Sequence, residues 1–234
     1  MKKQLCTFLK GCIGLLIFAN ISGCEKDNRS SADTGSSIAT VARAAVSQSG
    51  FNLWSNCLQP YNISGSNGIC VPLGSCNAQN NAAQQKTGQT ATGLQFNGSF
   101  KGGTNANSGA SEEAVFLCDN VSTWQGNEMG FVKTLDNNDL KAYIQHGIGN
   151  GQVEYKYQVL LSNDNGYHTF KCQARSANHN MVDFYIDGNY KCTLSSTQGG
   201  NYYGNYFYFV GTNHWYGGSD PTGQQIEMYN MTTY

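Results

Sequence analysis

The sequence predicts an all-β protein, an antiparallel β-sandwich stapled by disulfides. The composition indicates this first, because Gly (28 residues) and Tyr (14) are abundant whereas Pro (3) is scarce and 12% of residues are charged. Small polar and aromatic residues favour strands and turns over helices. Second, alternating strand patterns recur between Gly- and Asn-rich turns from residue 113 onward. Third, an even set of cysteines follows the targeting segment, which in an exported chain indicates a disulfide framework.

The clearest strand signal is VDFYIDGNYK, residues 182–191. Apolar residues at every second position from Val182 to Ile186 alternate with other residues, which is the period of a strand with one buried face. Asp187-Gly188 then predicts a tight turn, because glycine accepts the positive φ of a primed turn. We therefore expect a hairpin whose apolar face covers a core.

Further strands are predicted along the rest of the chain. They are short alternating or apolar runs, namely EAVFLCDN, NEMGFVKTL, LKAYIQHG, EYKYQVLL, YHTFKCQA, NYFYFVG and the closing QQIEMYNMTTY. Residues 77–111 are mostly polar, so we expect long surface loops there, interrupted by one strand in LQFNGSF. No helical period of useful length follows residue 50.

The N-terminal segment carries targeting signals and is left out of the fold prediction. A basic end with two lysines precedes an apolar stretch that is too short for a typical spanning helix. The following ISGC resembles the lipobox of bacterial lipoproteins, which implies that residues 1–23 are a signal peptide and that Cys24 is lipidated. An ordinary signal peptide is the alternative. Residues 24–49 then form a flexible tether, and residues 50–234 form one domain.

The same signals predict where the protein resides. A lipidated N-terminus implies attachment to the bacterial cell envelope through the membrane. EKDN, which follows the predicted lipidation site, is similar to export signals that send lipoproteins to the outer-membrane or cell surface. The net charge is −1 and no basic patch occurs, which argues against a nucleic-acid partner.

The cysteines divide into three N-terminal ones and six in the predicted domain. The six are Cys57, Cys70, Cys76, Cys118, Cys172 and Cys192, and several pairings are possible. Zinc is disfavoured because no closely spaced Cys pair occurs. In an in-plane meander Cys172 and Cys192 would lie two strand spacings apart, about 10 Å. That is too far for one disulfide, so each should pair elsewhere.

The segment YHTFKCQARSANHNMVDFYIDGNYKC resembles the hairpin of concanavalin A-like sandwiches. In these domains a Tyr-His-Thr-Phe type strand precedes a strand that ends in Tyr-x-Asp-Gly, and GQQIEMYNMTTY is similar to their closing strand. The resemblance covers roughly residues 113–234 and implies a jelly roll. Lectins, laminin-G-like domains and laminarinase-like glycoside hydrolases share this layout, and the fold alone does not decide among them.

A hydrolase of this kind would carry two carboxylates on one strand, in a Glu-x-Asp-x-x-Glu pattern. Retaining hydrolysis needs a nucleophile and an acid about 5 Å apart, which two positions on one strand face supply. In NEMGFVKT, Glu128 fits the first position, but Gly130 replaces the Asp and Lys133 replaces the second Glu. The resemblance therefore leaves Glu128 as a single carboxylate.

Two other chemistries supply the remaining catalytic candidates. A polysaccharide lyase of this fold would use Tyr143, Gln145 and His146 as base and neutraliser, although alternation points His146 away from the other two. A glutamic-type peptidase would pair Gln145 with Glu154. No cofactor is expected. The alternative is structural Ca²⁺ held by Asp136 and Asp139, since oxygen-rich loops suit that ion. A plain Asx turn is the favoured interpretation of DNND.

The aromatic run NYYGNYFYFVGTNHWYGG carries the binding hypothesis. Loop aromatics can stack on the apolar faces of sugar rings, or they can pack on the sandwich edge. The ligand-binding candidates are Tyr143, Gln145, Tyr203, Trp215 and Tyr216. The predicted function is a non-catalytic carbohydrate-binding or adhesive, lectin-like module acting on extracellular or envelope polysaccharide. The alternative is a polysaccharide-degrading enzyme.

Overall fold

The computed structural model describes residues 43–73, 79–102, 111–120, 125–134, 138–214 and 224–234. Its strands are β1 Ala44–Ala45, β2 Asn52–Ser55, β3 Tyr61–Ile63, β4 Gly68–Leu73, β5 Gln79–Ala91, β6 Gly93–Lys101, β7 Ser111–Cys118, β8 Glu128–Thr134, β9 Asp139–Gly149, β10 Gln152–Ser162, β11 His168–Arg175, β12 Asn178–Ile186, β13 Asn189–Ser195, β14 Asn205–His214 and β15 Gln224–Thr233. A short 3₁₀ helix spans Gln48–Gly50.

The strands form two antiparallel sheets, consistent with the predicted jelly roll. The eight-stranded sheet has the order β13-β12-β11-β6-β15-β4-β3, with β1 added alongside β15. The seven-stranded sheet has the order β10-β9-β8-β7-β14-β5-β2. Neighbours such as β6 and β15, or β7 and β14, are distant in the chain, so most pairing is long-range.

The predicted hairpin is present as the meander β11-β12-β13. Asp187 and Gly188 both have positive φ, 53° and 76°, as a primed turn requires. The apolar positions of β12 face the core, where Phe184 and Ile186 are buried. The alternation of the sequence therefore identified the inner face of this sheet.

Aromatic rings fill the space between the two sheets. Phe131 projects inward from β8 and meets Phe96, Phe170 and Phe184 of the other sheet, with ring centroids 6.0, 5.3 and 5.6 Å away. Edge-to-face and tilted contacts of this kind add to the free energy that burial itself contributes. These contacts therefore pack β8 of the seven-stranded sheet against β6, β11 and β12 of the other sheet.

The expectation of a surface loop after residue 77 was wrong for residues 79–91. These residues form β5, which pairs with β14 on one side and β2 on the other. Ala82 and Ala83 are fully buried, and the Asn81 side-chain amide donates to the Pro72 carbonyl at 2.8 Å. The strand forms because both its edges are paired, which the polar sequence does not reveal.

The sandwich includes residues before position 50. Ala44 and Ala45 pair with Thr233 and Thr232 of β15, and Val46 is buried in the core. The predicted signal peptide and Cys24 lie outside the described residues. Among the residues that are described, no helix is long and apolar enough to cross a membrane.

The prediction that the cysteines are all paired was wrong for four of them. Cys70, Cys118, Cys172 and Cys192 are buried and not disulfide-bonded. Cys172 and Cys192 lie on either side of Phe184, in the two neighbouring strands. The expected separation of two strands is therefore confirmed, but neither cysteine forms a disulfide.

Of the two remaining cysteines, Cys57 is disulfide-bonded and Cys76 lies outside the described residues. The buried thiols behave as small apolar side chains. Burial in apolar surroundings raises the pKa of Cys172 to about 12, which keeps it in the unreactive thiol form.

These four thiols should resist alkylation while the protein is folded. We expect iodoacetamide to modify them only at the rate of global unfolding, because reagent and thiolate cannot meet inside the core. Mass spectrometry after alkylation in buffer and in denaturant measures the difference. Rapid modification in buffer of any of the four, mapped by peptide, would contradict the burial described here.

Candidate functional site

A cavity lies on the outer face of the seven-stranded sheet, where β7, β8, β9 and β10 run side by side. Its volume is about 200 Å³. We call it the groove. Alternation along each strand directs one set of side chains to the core and the other set to the groove. The groove is lined by Glu112, Phe116, Glu128, Val132, Thr134, Lys141, Tyr143, Tyr155 and Tyr157.

An aromatic row crosses the floor of the groove. Phe209, Phe116, Gly130, Tyr143 and Tyr157 lie opposite one another on five successive strands. Ring centroids are 6.4 Å apart for Phe209 and Phe116, and 5.2 Å apart for Phe116 and Tyr143. Tyr157 is 49% exposed, so the row ends in a ring that is open to solvent. The arrangement forms a continuous apolar platform with hydroxyl groups at one end.

The glycine in this row is required by its surroundings. A Cβ on Gly130 would lie 2.0 Å from the Val115 carbonyl oxygen, a distance that no side chain tolerates. The missing side chain also lets Phe116 and Tyr143, which stand two strands apart, lean together across β8. The departure from the hydrolase-like pattern at position 130 therefore serves to join the aromatic floor.

Glu128 stands next to the aromatic row, opposite Cys118 on one side and Gln145 on the other. It is 2% exposed, and its Oε1 has no hydrogen-bond partner among the described residues. Burial, reinforced by the negative charges of Asp119 and Glu112, raises the pKa of Glu128 well above its usual range. Such a shift favours the neutral carboxyl group, which can donate a hydrogen bond.

Replacing Glu128 with Gln should change how stability depends on pH. The raised pKa means that the folded state holds a proton that the unfolded state releases, so Glu128 costs stability as the pH rises above the ordinary carboxyl range. We expect Glu128→Gln to match wild type at low pH and to exceed it increasingly at neutral and alkaline pH. Denaturant unfolding at several pH values measures this, and equal pH slopes in both proteins would contradict it.

The predicted lyase residues are only partly brought together. Tyr143 and Gln145 share a face, and the Tyr143 hydroxyl donates to Gln145 Oε1 at 3.0 Å. His146 points away from them, as alternation predicted, and its Nδ1 lies 2.6 Å from Asn127 Oδ1. Gln145 is 4% exposed, so it supports the groove wall and presents little surface to a ligand.

The glutamic peptidase pair does not form. Glu154 lies opposite His146, so it faces away from Gln145. Burial opposes its ionisation, but hydrogen bonds from Thr197, Ser196 and Gln198 outweigh this and hold the pKa of Glu154 at about 2. The hydrogen bonds of Glu154 therefore attach β10, the edge strand of the seven-stranded sheet, to the loop that follows β13.

Of the loop aromatics predicted to bind a ligand, only Tyr203 is among the described residues. Tyr203 is 51% exposed and stacks on His179 with ring centroids 4.8 Å apart. Its neighbour Tyr202 is buried, and its hydroxyl donates to the Gln145 carbonyl at 3.2 Å. Trp215, Tyr216 and Asp136 lie outside the described residues.

The suggested calcium site gains no support from the part of the chain that the structure describes. Asp139 lies at the start of β9, and its predicted partner Asp136 is not among the described residues. Within the described ranges, no cluster of His, Cys, Asp and Glu side chains is arranged to hold a metal ion.

Sequence reasoning missed most of the groove. Tyr155 and Tyr157 alternate in the sequence, and this signal placed them on one face, but nothing indicated that Tyr143 would lie opposite Tyr157. Gln158 lies on the other face of β10, opposite Ala142, which is buried in the core. Lys141, with its Nζ 5.1 Å from the Tyr157 ring centroid, completes this wall.

No family model and no curated protein matches this sequence. Solved structures do match the fold. A GH16 enzyme from the mixed linkage glucan locus of Bacteroides ovatus superposes with a TM-score of 0.53 at 14% identity, over 80% of this chain and 95% of that one. The Emp47p carbohydrate recognition domain superposes with a TM-score of 0.52 at 11% identity, over 79% and 88%.

The laminarinase catalytic domain of Thermotoga maritima gives a TM-score of 0.50 at 13% identity, over 74% of this chain and 78% of that one. These proteins include both hydrolases and a carbohydrate recognition domain. At such low identity the likeness establishes the concanavalin A-like sandwich fold and leaves the function open.

Proposed function

We propose that the groove binds an extracellular polysaccharide chain without cleaving it. The aromatic row provides flat apolar rings on which sugar rings can stack, and the Tyr hydroxyls offer hydrogen bonds to sugar hydroxyl groups. The chain would therefore act as a carbohydrate-binding or adhesive module. Both the hydrolases and the recognition domain that share the fold are named for carbohydrate ligands, which supports this class of ligand.

The observation that carries the proposal is the orientation of side chains on β8. Glu128, Gly130 and Val132 point to the groove, whereas Lys133 points into the core, where its ammonium donates to the Phe100 carbonyl at 2.7 Å. The position at which the hydrolase-like pattern has its second Glu is thus occupied by a buried cation. Retaining hydrolysis needs two carboxyl groups about 5 Å apart, and β8 supplies one.

A hydrolase remains the second candidate, because Glu112 and Glu128 line the same groove. The pairing of Cys118 with Glu128 places Glu112 six residues further along β7, about 20 Å away along the strand. Hydrolase carboxylates stand roughly 5–9.5 Å apart. Only long side chains leaning together from opposite ends of the groove would bring them near that spacing, so we favour binding.

The proposal is tested by titrating the protein with mixed-linkage glucan and laminari-oligosaccharides in a calorimeter, with a reducing-end assay run on the same samples. We expect heat of binding and no new reducing ends. Chain cleavage that disappears in Glu128→Gln would establish the hydrolase instead. Absence of binding across a broad glycan array would contradict both candidates.

We also propose that this module is tethered to the bacterial cell envelope through a lipid on Cys24. Replacing Cys24 with Ser should move the protein from the membrane fraction to the soluble fraction, because a single residue carries the lipid. The expected readout is immunoblotting of fractionated cells, with Cys70→Ser as a control that leaves the predicted lipid site intact. Membrane association of Cys24→Ser would show that the lipobox interpretation is wrong.

A further inference from the structure

A buried polar cluster lies between the sheets, on the opposite side of β8 from the groove. Lys133 is fully buried, and its Nζ lies 2.6 Å from Asn165 Oδ1 and 2.6 Å from the Asp164 carbonyl. Glu113 lies directly opposite Lys133 on β7 and is also fully buried. Glu113 and Lys133 thus form a cross-strand pair, with Cβ atoms about 5 Å apart.

Nothing in the proposed function uses this cluster, and its composition is unusual. Neither carboxyl oxygen of Glu113 has a hydrogen-bond partner among the described residues. A buried carboxyl group without partners is costly. Burial raises the pKa of Glu113 to about 8, against the opposing charge of Lys133, and burial lowers the pKa of Lys133. Both shifts favour transfer of a proton from the ammonium to the carboxylate.

We propose that Lys133 and Asn165 become joined by an intramolecular amide bond, with Glu113 as the residue that moves the protons. Glu113 takes one proton from Lys133, which leaves a neutral amine as nucleophile. The lone pair of Nζ attacks Cγ of Asn165, and the electrons of the carbonyl double bond move to Oδ1. The Gly102 N–H already donates to Oδ1 at 3.1 Å and stabilises that charge.

The second half of the reaction releases ammonia. The Cγ–Nδ2 bond breaks as the carbonyl re-forms. Glu113 gives the proton that it already holds to the departing nitrogen and then takes one further proton from Nζ. One amine and one carboxamide thus give one secondary amide and one ammonia, with no oxidant or reductant. Asn165 lies in an exposed turn with its carbonyl directed inward, so the ammonia has a path to solvent.

The bond would give the sandwich a covalent staple. It would tie the middle of the seven-stranded sheet to the turn between β10 and β11, across 32 positions of sequence. The cysteine count suggested covalent staples, but four of the cysteines do not form disulfides. An amide bond does not depend on the redox state of the surroundings, which suits a protein outside the cell.

Mass spectrometry of the full chain tests the proposal. We expect wild type to be lighter by one ammonia than its sequence requires, and trypsin to yield one branched peptide that contains both Lys133 and Asn165. Glu113→Gln and Asn165→Ser should both keep the unreacted mass. Because Asn165 is exposed, the Asn165→Ser variant should fold normally. Wild type at the unreacted mass would overturn the proposal.

A competing source of ammonia loss is a cyclic imide, because Asn165 is followed by Gly166. Lys133→Met distinguishes the two reactions, since a cyclic imide needs no lysine and gives no branched peptide. Ammonia loss that persists in Lys133→Met would overturn the cross-link, whereas its disappearance together with the branched peptide would support it. Neither result bears on glycan binding, which is measured separately on the groove.

Discussion

Replacing Tyr143 and Tyr157 together with Ala is expected to weaken glucan binding by roughly thirtyfold or more. Each stacking aromatic contributes on the order of 1–3 kcal/mol, by analogy with base stacking on aromatic platforms. Two such losses correspond to roughly 1.5 to 4 decades in the dissociation constant. Titration calorimetry on the wild type and the double variant measures the change directly.

Tyr190→Ala is the matched control for this experiment. Tyr190 is 47% exposed, close to the 49% of Tyr157, but it lies on β13 in the other sheet. We expect it to bind glucan like the wild type. The melting temperature of Tyr190→Ala should stay close to that of the wild type, because a half-exposed ring contributes little to the core. Equal binding by the double variant and the wild type would remove the groove as the glycan site.

Phe131→Ala should cause the largest loss of stability, about 3–5 kcal/mol of unfolding free energy. Phe131 is fully buried and contacts three aromatic rings of the opposite sheet, so truncation leaves a cavity that rigid neighbours cannot fill. Because β8 also carries Glu128 and Gly130 toward the groove, glycan affinity should fall in the same variant. Urea unfolding at a fixed pH gives the free energy.

Two comparisons make the Phe131 result interpretable. Tyr190→Ala should lose little stability, since most of that ring is already in contact with water. An unchanged m-value would indicate that the folded and unfolded states still differ by the same exposed surface. A loss below about 1 kcal/mol for Phe131→Ala would mean that the inter-sheet core is not packed as described.

Local interactions explain what could be predicted from the sequence. The meander from His168 to Ser195 was predicted because each strand alternates and because Asp187-Gly188 closes a turn of its own. The opposed directions of Gln145 and His146 were predicted for the same reason, since successive side chains of any strand point to opposite faces. The all-β class followed from composition and from turn spacing.

Long-range pairing explains what could not be predicted. The polar segment that forms β5 becomes a strand only because β14 and β2 bond to both its edges. The buried thiols could not be distinguished from disulfides by counting, because their separation depends on which strands become neighbours. The same dependence hid the groove, since Tyr157, Tyr143 and Phe116 belong to different strands and meet only through the register of the sheet.

Glu128 shows most clearly which properties follow from the sequence and which require the tertiary structure. The sequence by itself determined that Glu128 lacks the companion carboxylates of the hydrolase-like pattern, because residue identities at fixed spacing on one strand need no fold to be compared. Only the tertiary structure decided that Glu128 is buried beside an aromatic floor, where its pKa is raised, and that Lys133 faces Glu113 and Asn165 on the other side. Burial and charge depend on neighbours that are distant in the chain, and these are set when the two sheets pack.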